Sequence, residues 1–203
     1  MTDVTVWWVQ DDGDPDTAHT LLRRAVARRL GVAAARLDIG HRCPACGSTE
    51  HGRPVLNQPA RRGLHLSVAR APGLAAVAVS SVGPVGVDVD ESARFAFAGF
   101  ATVALHPTED RVADPRARAT TWVRKESVLK AAGTGLHLDP RRVAVGPAHE
   151  PPRVDVPPPG LEPGGLWVTD VAVLDTHTAA VTVLARVAPR VDVVAPERTG
   201  RRR

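Results

Sequence analysis

With 203 residues, 43% hydrophobic and 24% charged, the chain has an ordinary globular balance, enough for one domain with a good-sized core or two small halves. A net charge of +4 and a pI near 10.0 reflect arginine usage, since lysine is nearly absent; they favour an acidic or polyphosphate partner and are too weak to argue nucleic acid. No apolar run approaches the roughly 18 residues of a membrane span and no secretory signal pattern opens the chain, so a cytoplasmic protein is expected.

Val4 to Val9 (VTVWWV) reads as a buried strand closed by the acidic turn from Asp11 to Asp16. From about Thr17 to Leu30, Leu21, Leu22, Ala25, Val26 and Leu30 keep helical spacing, and Gly31 is the stop signal. Arg23, Arg24, Arg28 and Arg29 ride on its exposed sides, where one or two can reach a phosphate.

The next segment, from His41 to Pro54, holds a CxxC (Cys43, Cys46) with His41 and His51 on either side. Four candidate zinc ligands are present, yet a structural finger normally uses a second pair farther along, and that weighs against zinc. Two cysteines this close cannot staple a fold, which agrees with a reducing compartment. Gly52-Arg53-Pro54 offers a tight turn and a guanidinium suited to phosphate.

Leu64 to Ser67 and Leu74 to Ser80 read as a hairpin turned at Ala71-Pro72-Gly73, with Arg70 near its tip. After Gly83-Pro84, the segment Val85 to Asp90 alternates apolar and polar. Asp88 and Asp90 then share one face, about 7 Å apart, while Val87 and Val89 go to the core. Two carboxylates side by side repel unless a cation sits between them, and Mg²⁺ is the hard-cation solution. An exposed edge strand with polar alternation is the plainer alternative. Phe95, Phe97 and Phe100 read as core, though beside two acids they can also wall an apolar tunnel.

Asp114 as N-cap, Pro115 in the first turn and Gly133 as stop predict a helix of roughly 18 residues. Trp122, Val128, Leu129 and Ala132 fall on one core-facing arc with Lys125 in its middle, so Lys125 needs a partner; Glu126 and Lys130, four apart, emerge along one edge. Pro147 to Pro163 reads as an extended connector, Leu166 to Val173 and Ala179 to Ala185 as antiparallel strands, and residues 189–203 as a disordered tail.

Gly86-Val87-Asp88-Val89-Asp90 with, farther along, Trp122-x-x-Lys125-Glu126-Ser127-x-x-Lys130 resembles the signature of the 4′-phosphopantetheinyl transferases, and Ala132-Gly133-Thr134-Gly135-Leu136 is similar to the end of that signature. Gly52-Arg53-Pro54 and the stretch from Ser67 to Ala71 line up with two further elements of that family. Trp7, Trp8 and the LLRR helix look like its longer, monomeric, surfactin-synthetase-activating type, which serves polyketide, nonribosomal peptide and fatty acid synthases. The likeness covers most of residues 4 to 185. It implies an α+β fold, a pseudo-dimer of two similar α/β halves with antiparallel sheets, divided as 1–84 and 85–188, with coenzyme A between them.

The resemblance also implies roles. Asp88, Asp90 and Glu126 would hold Mg²⁺, or Mn²⁺ in its place, against the coenzyme A pyrophosphate, with Glu126 or a metal-bound water beside it the candidate base and Lys130 neutralising the phosphoryl group. Arg53 and Arg70 would grip the adenosine-side phosphates, with Arg23 a weaker candidate; Pro54 and Lys125 are further coenzyme A contacts, a structural ion pair with one of the acids being the alternative for Lys125. Two positions depart from the family pattern: Asp90 stands where the larger class has Glu, and Arg70 where it has a histidine on the 3′-phosphate. The implied partner is an acidic acyl or peptidyl carrier protein, which the +4 charge suits. Two other readings share these residues: an Mg²⁺-dependent phosphohydrolase acting on coenzyme A-like pyrophosphates, and a zinc-knuckle nucleic-acid binder. Against the binder stand a missing second ligand pair and aromatics totalling only 3%.

Overall fold

Period-two alternation divides the core of this protein into layers. In the computed structural model, which describes residues 3–44, 46–59 and 63–196, strand β1 (Val4–Asp11) sends Val4, Val6 and Trp8 to one side and Trp7 and Val9 to the other. The helix α1 (Thr17–Leu30) covers the second side, burying Leu21, Leu22, Ala25 and Val26 against Trp7, and ends at Gly31 in the left-handed conformation. A small hairpin, β2 (Asp38–Arg42) with β3 (Arg53–Gln58), comes next. Beyond it, β4 (His65–Ala71) and β5 (Gly73–Ser80) pair as the expected hairpin, with β5 also antiparallel to β1.

The chain then enters a second sheet with β6 (Val85–Glu91). A short helix α2 (Phe100–Ala104) leads to α3 (Pro115–Ala132), and β7 (Ala144–Val145) pairs with β8 (Val154–Val156). Strands β9 (Leu166–Asp170) and β10 (His177–Leu184) are antiparallel, and β10 also pairs β6, giving the order β6-β10-β9. Val85, Val87, Val89, Val181 and Val183 meet Val4, Val6, Trp8 and Ala76 between the two sheets, and Ala180 turns to the α3 side. The layers therefore run α1, first sheet, second sheet, α3. The nearly continuous apolar letters of β1, β5 and β10 reflect burial on both faces.

Three sequence expectations are corrected. The disordered tail does not begin at Pro189: Val191–Val194 form β11, parallel to β1, giving the order β11-β1-β5-β4. Residues 197–203, with Arg201 to Arg203, lie outside the described residues. The proline-rich connector contributes β8, whose Val154 is buried beside Val143 and Leu166. And α3 is not a one-faced amphipathic helix. It is buried continuously from Val123 to Leu129, enclosed by β6, β10, β7 and the cluster of Phe95 and Phe100.

Candidate active site

A glycine sets how closely the catalytic candidates approach. A Cβ on Gly86 would overlap the carbonyl oxygen of Ser127 and lie 2.5 Å from the amide nitrogen of Ala131, so only glycine lets β6 lie directly against α3. The caps of α3 fix its axis: the Asp114 carboxylate accepts from the amides of Arg116 and Ala117, and Gly133 closes the last turn at φ 77°. Asp88 on β6 then faces Glu126 and Lys130 on α3. The Lys130 ammonium donates to Asp88 Oδ1 at 2.7 Å and to the carbonyls of Val87 and Val68 at 3.0 and 3.3 Å.

Glu126 is 7% exposed, and its Oε1 is a buried oxygen that accepts no hydrogen bond. Burial raises its pKa from 4.5 to about 7, the charges of Asp88 and Asp90 push the same way, and Lys130 opposes them. Burial likewise raises Asp88, against the pull of Lys130. Asp90 accepts from Arg94 at 2.8 Å and from the amide of Glu91. An acid with an orphaned buried oxygen, beside two other carboxylates, matches the hard-oxygen donor set that Mg²⁺ or Mn²⁺ takes. Among the described residues, however, the group whose ligand atoms all lie within 4.8 Å of one another is Cys43, Cys46 and His51 rather than this trio, because Asp88 and Asp90 turn toward protein cations.

Lys130 also borders a cavity of about 520 Å³ at the seam of the two sheets. One wall comes from His19, Leu22, Ser67 and Val68, another from the Cys43–Pro54 segment, and the third from Gly133 to His137 after α3. Arg53 and Pro54 both line it, and His41, His51 and His137 join Arg53 and Lys130 in making its polar groups mostly cationic or protonatable. That suits a polyanion. Beside Asp90 lies a smaller cavity, about 190 Å³, walled by Phe95, Phe97, Phe100 and Trp122.

Three residues expected to contact coenzyme A are engaged by protein groups. The guanidinium of Arg70 is paired with the Asp11 carboxylate and donates to the carbonyls of Asp14 and Pro15, anchoring the acidic turn; Arg70 does not line the cavity. Arg23 donates to the carbonyls of Ala34 and Leu37, closing the chain after α1. Lys125 is fully buried, 2.5 Å from Glu109 and donating to the carbonyls of Ala104 and Pro140; burial pulls its ammonium below the usual lysine range, which Glu109 opposes. Its partner is thus Glu109 and not an acid of the site.

Two residues that hold the site in place carry no signal in the sequence. Arg124, fully buried, grips Asp170 with two hydrogen bonds of 2.8 and 2.6 Å and donates to three carbonyls of the loop after β7. Ser67 accepts from the amide of Val87 at 3.0 Å, tying the first sheet to β6. Asp170 lies 46 residues from Arg124 along the chain, a separation at which letters alone do not reveal a pair.

No helix among the described residues is long and apolar enough to cross a membrane. No curated protein matches the chain. Residues 84–156, which carry Asp88, Asp90, Glu126, Lys130 and the whole of α3, match the family model described as the 4′-phosphopantetheinyl transferase superfamily. That match, over part of the chain, supports likeness to this superfamily and phosphopantetheinyl transfer in general, a reaction for which the family uses coenzyme A.

Proposed function

We propose that this chain transfers the 4′-phosphopantetheine arm of coenzyme A to a serine of an acidic acyl or peptidyl carrier protein, releasing 3′,5′-adenosine bisphosphate. The observation that carries the reading is Glu126: a buried carboxylate with a free oxygen and a pKa near neutrality, set between two further acids and one turn from a lysine that reaches the cationic cavity. Asp88, Asp90 and Glu126 would hold Mg²⁺, which when bound neutralises pyrophosphate charge. Coenzyme A lies in the 520 Å³ cavity, its adenosine-side phosphates at Arg53 and its pyrophosphate toward Lys130. Lys130 leaves Asp88 to stabilise the phosphoryl group as charge builds in the transition state. Glu126, or a metal-bound water beside it, accepts the proton of the carrier serine. The apolar cavity at Phe95, Phe97 and Phe100 takes the pantetheine arm or the carrier's apolar contact. In this reading the halves 1–84 and 85–188 form a pseudo-dimer of the longer, monomeric type, working in the cytoplasm.

The test is intact-protein mass spectrometry of a panel of apo carrier proteins incubated with this protein, coenzyme A and Mg²⁺, with and without chelator. The expected result is a chelator-sensitive gain of one phosphopantetheine on at least one carrier. Consumption of coenzyme A with no carrier modified would replace the transferase with a phosphohydrolase.

A further inference from the structure

The cysteine segment between β2 and β3 is built as a ligand set. Cys43 and Cys46 are not joined in a disulfide, and Cys46 Sγ lies 3.5 Å from His51 Nε2. With Zn–S near 2.3 Å and Zn–N near 2.0–2.1 Å, a sulfur and a nitrogen on one tetrahedral zinc stand about 3.6 Å apart. The third donor, Cys43, shares the same space, for the ligand atoms of all three residues lie within 4.8 Å of one another. His41, the fourth donor in the sequence, is outside this group.

Backbone geometry brings the three together. The amide of Gly47 donates to the Cys43 carbonyl and that of Cys43 to the Ser48 carbonyl, a tight turn that Gly47 permits at φ 74°. The returning chain then passes so near that a Cβ on Gly52, at φ 101°, would lie 2.5 Å from the Arg42 carbonyl and from Cys43 Cα. No other residue fits there, and the close pass is what sets His51 over the cysteines. A sulfhydryl–imidazole hydrogen bond would account for one contact of 3.5 Å; it does not account for a second sulfur in the same cluster.

We propose that Cys43, Cys46 and His51 form a three-ligand site for a divalent cation, Zn²⁺, an open site rather than a closed finger, with solvent as the fourth ligand. The site braces the cavity wall. Pro44 lies against Gly133 at the end of α3, 3.4 Å from where a Cβ would stand, and Arg53 comes two residues after His51. A metal there fixes the segment that presents Arg53 to the cavity. The assignment does not rest on the transferase reading.

The test measures metal directly. Full-length untagged protein, grown in zinc-supplemented medium, is expected to hold about one zinc per chain by elemental analysis. After chelation and loading with Co²⁺ under reductant, it should show a thiolate-to-cobalt charge-transfer band, which oxygen ligands at the acidic trio cannot produce. Cys46 is exposed, so Cys46→Ser should fold as wild type by circular dichroism while losing the band and the zinc. His51→Ala should bind at least tenfold more weakly in competition with a chelator. Wild-type protein that takes up no zinc and shows no band would overturn the site, as would Cys46→Ser with unchanged zinc content. Glu126→Gln should keep its zinc, so failure of the site and failure of the proposed activity are read separately.

Discussion

Glu126 carries opposite obligations for folding and for chemistry. Its folded pKa, about 7, lies above the ordinary 4.5, so the protonated form is the one the fold prefers. The associated stability is complete below pH 4.5 and is lost as pH rises through 7, the loss amounting to about 3 kcal/mol by pH 8. Glu126→Gln should therefore abolish transfer, yet unfold at higher urea than wild type when both are measured at pH 8 in chelator, with the gap closing toward pH 4.5. Equal pH dependence in the two proteins would refute that account. Lys125 behaves in the contrary way: Lys125→Met leaves Glu109 buried and unpaired and should cost about 3–5 kcal/mol in urea unfolding, much of it recovered by adding Glu109→Gln. For the adenosine-side phosphates, Arg53→Ala should weaken coenzyme A binding at least tenfold in calorimetry. Arg70→Ala, at a side chain already engaged by Asp11, should lower affinity for coenzyme A and dephospho-coenzyme A by the same factor.

Among the elements, legibility in the sequence tracks how local the determinants are. The span of α3 is readable to the residue because Asp114, Pro115 and Gly133 act on their own helix ends. Alternation in β6 places Val87 and Val89 in the core and Asp88 opposite, since one buried face is enough to fix the register. The hairpin β2–β3 leaves no such trace: its strands are half exposed, carry Gly40 and Pro54, and show no apolar period. Strand β8 hides among prolines and β11 among charges, the latter defined by a partner strand at the far end of the chain. In the site, Glu126 and Lys130 share one helix edge by their spacing, and Asp88 is grouped with them by the resemblance of the two motifs to one family signature. Arg23, Arg70 and Lys125 have carbonyl and carboxylate partners that no local pattern announces. The close packing of β6 on α3 yields its own prediction: Gly86→Ala must push the helix away, costing about 1–3 kcal/mol of stability and reducing transfer at least tenfold in the carrier assay.

At the scale of the whole molecule, the two sheets meet along a shared apolar layer, and the cavity opens where β4 and β6 adjoin. Lys130 crosses that seam, bonded to Val68 on one side and to Val87 and Asp88 on the other. The chain contains just two lysines, Lys125 and Lys130, and they differ sharply in access: the side chain of the first is 0% exposed and that of the second 27%. Apart from the terminal amine, Lys130 is therefore the accessible amine of the chain. Mild treatment with an amine-reactive probe should mark Lys130 and not Lys125 on peptide mapping, and coenzyme A with Mg²⁺ should shield Lys130. A chain that uses arginine almost throughout has kept both of its lysines for the helix at its centre, and so its occupancy can be followed by a chemical footprint at one lysine with no engineered label.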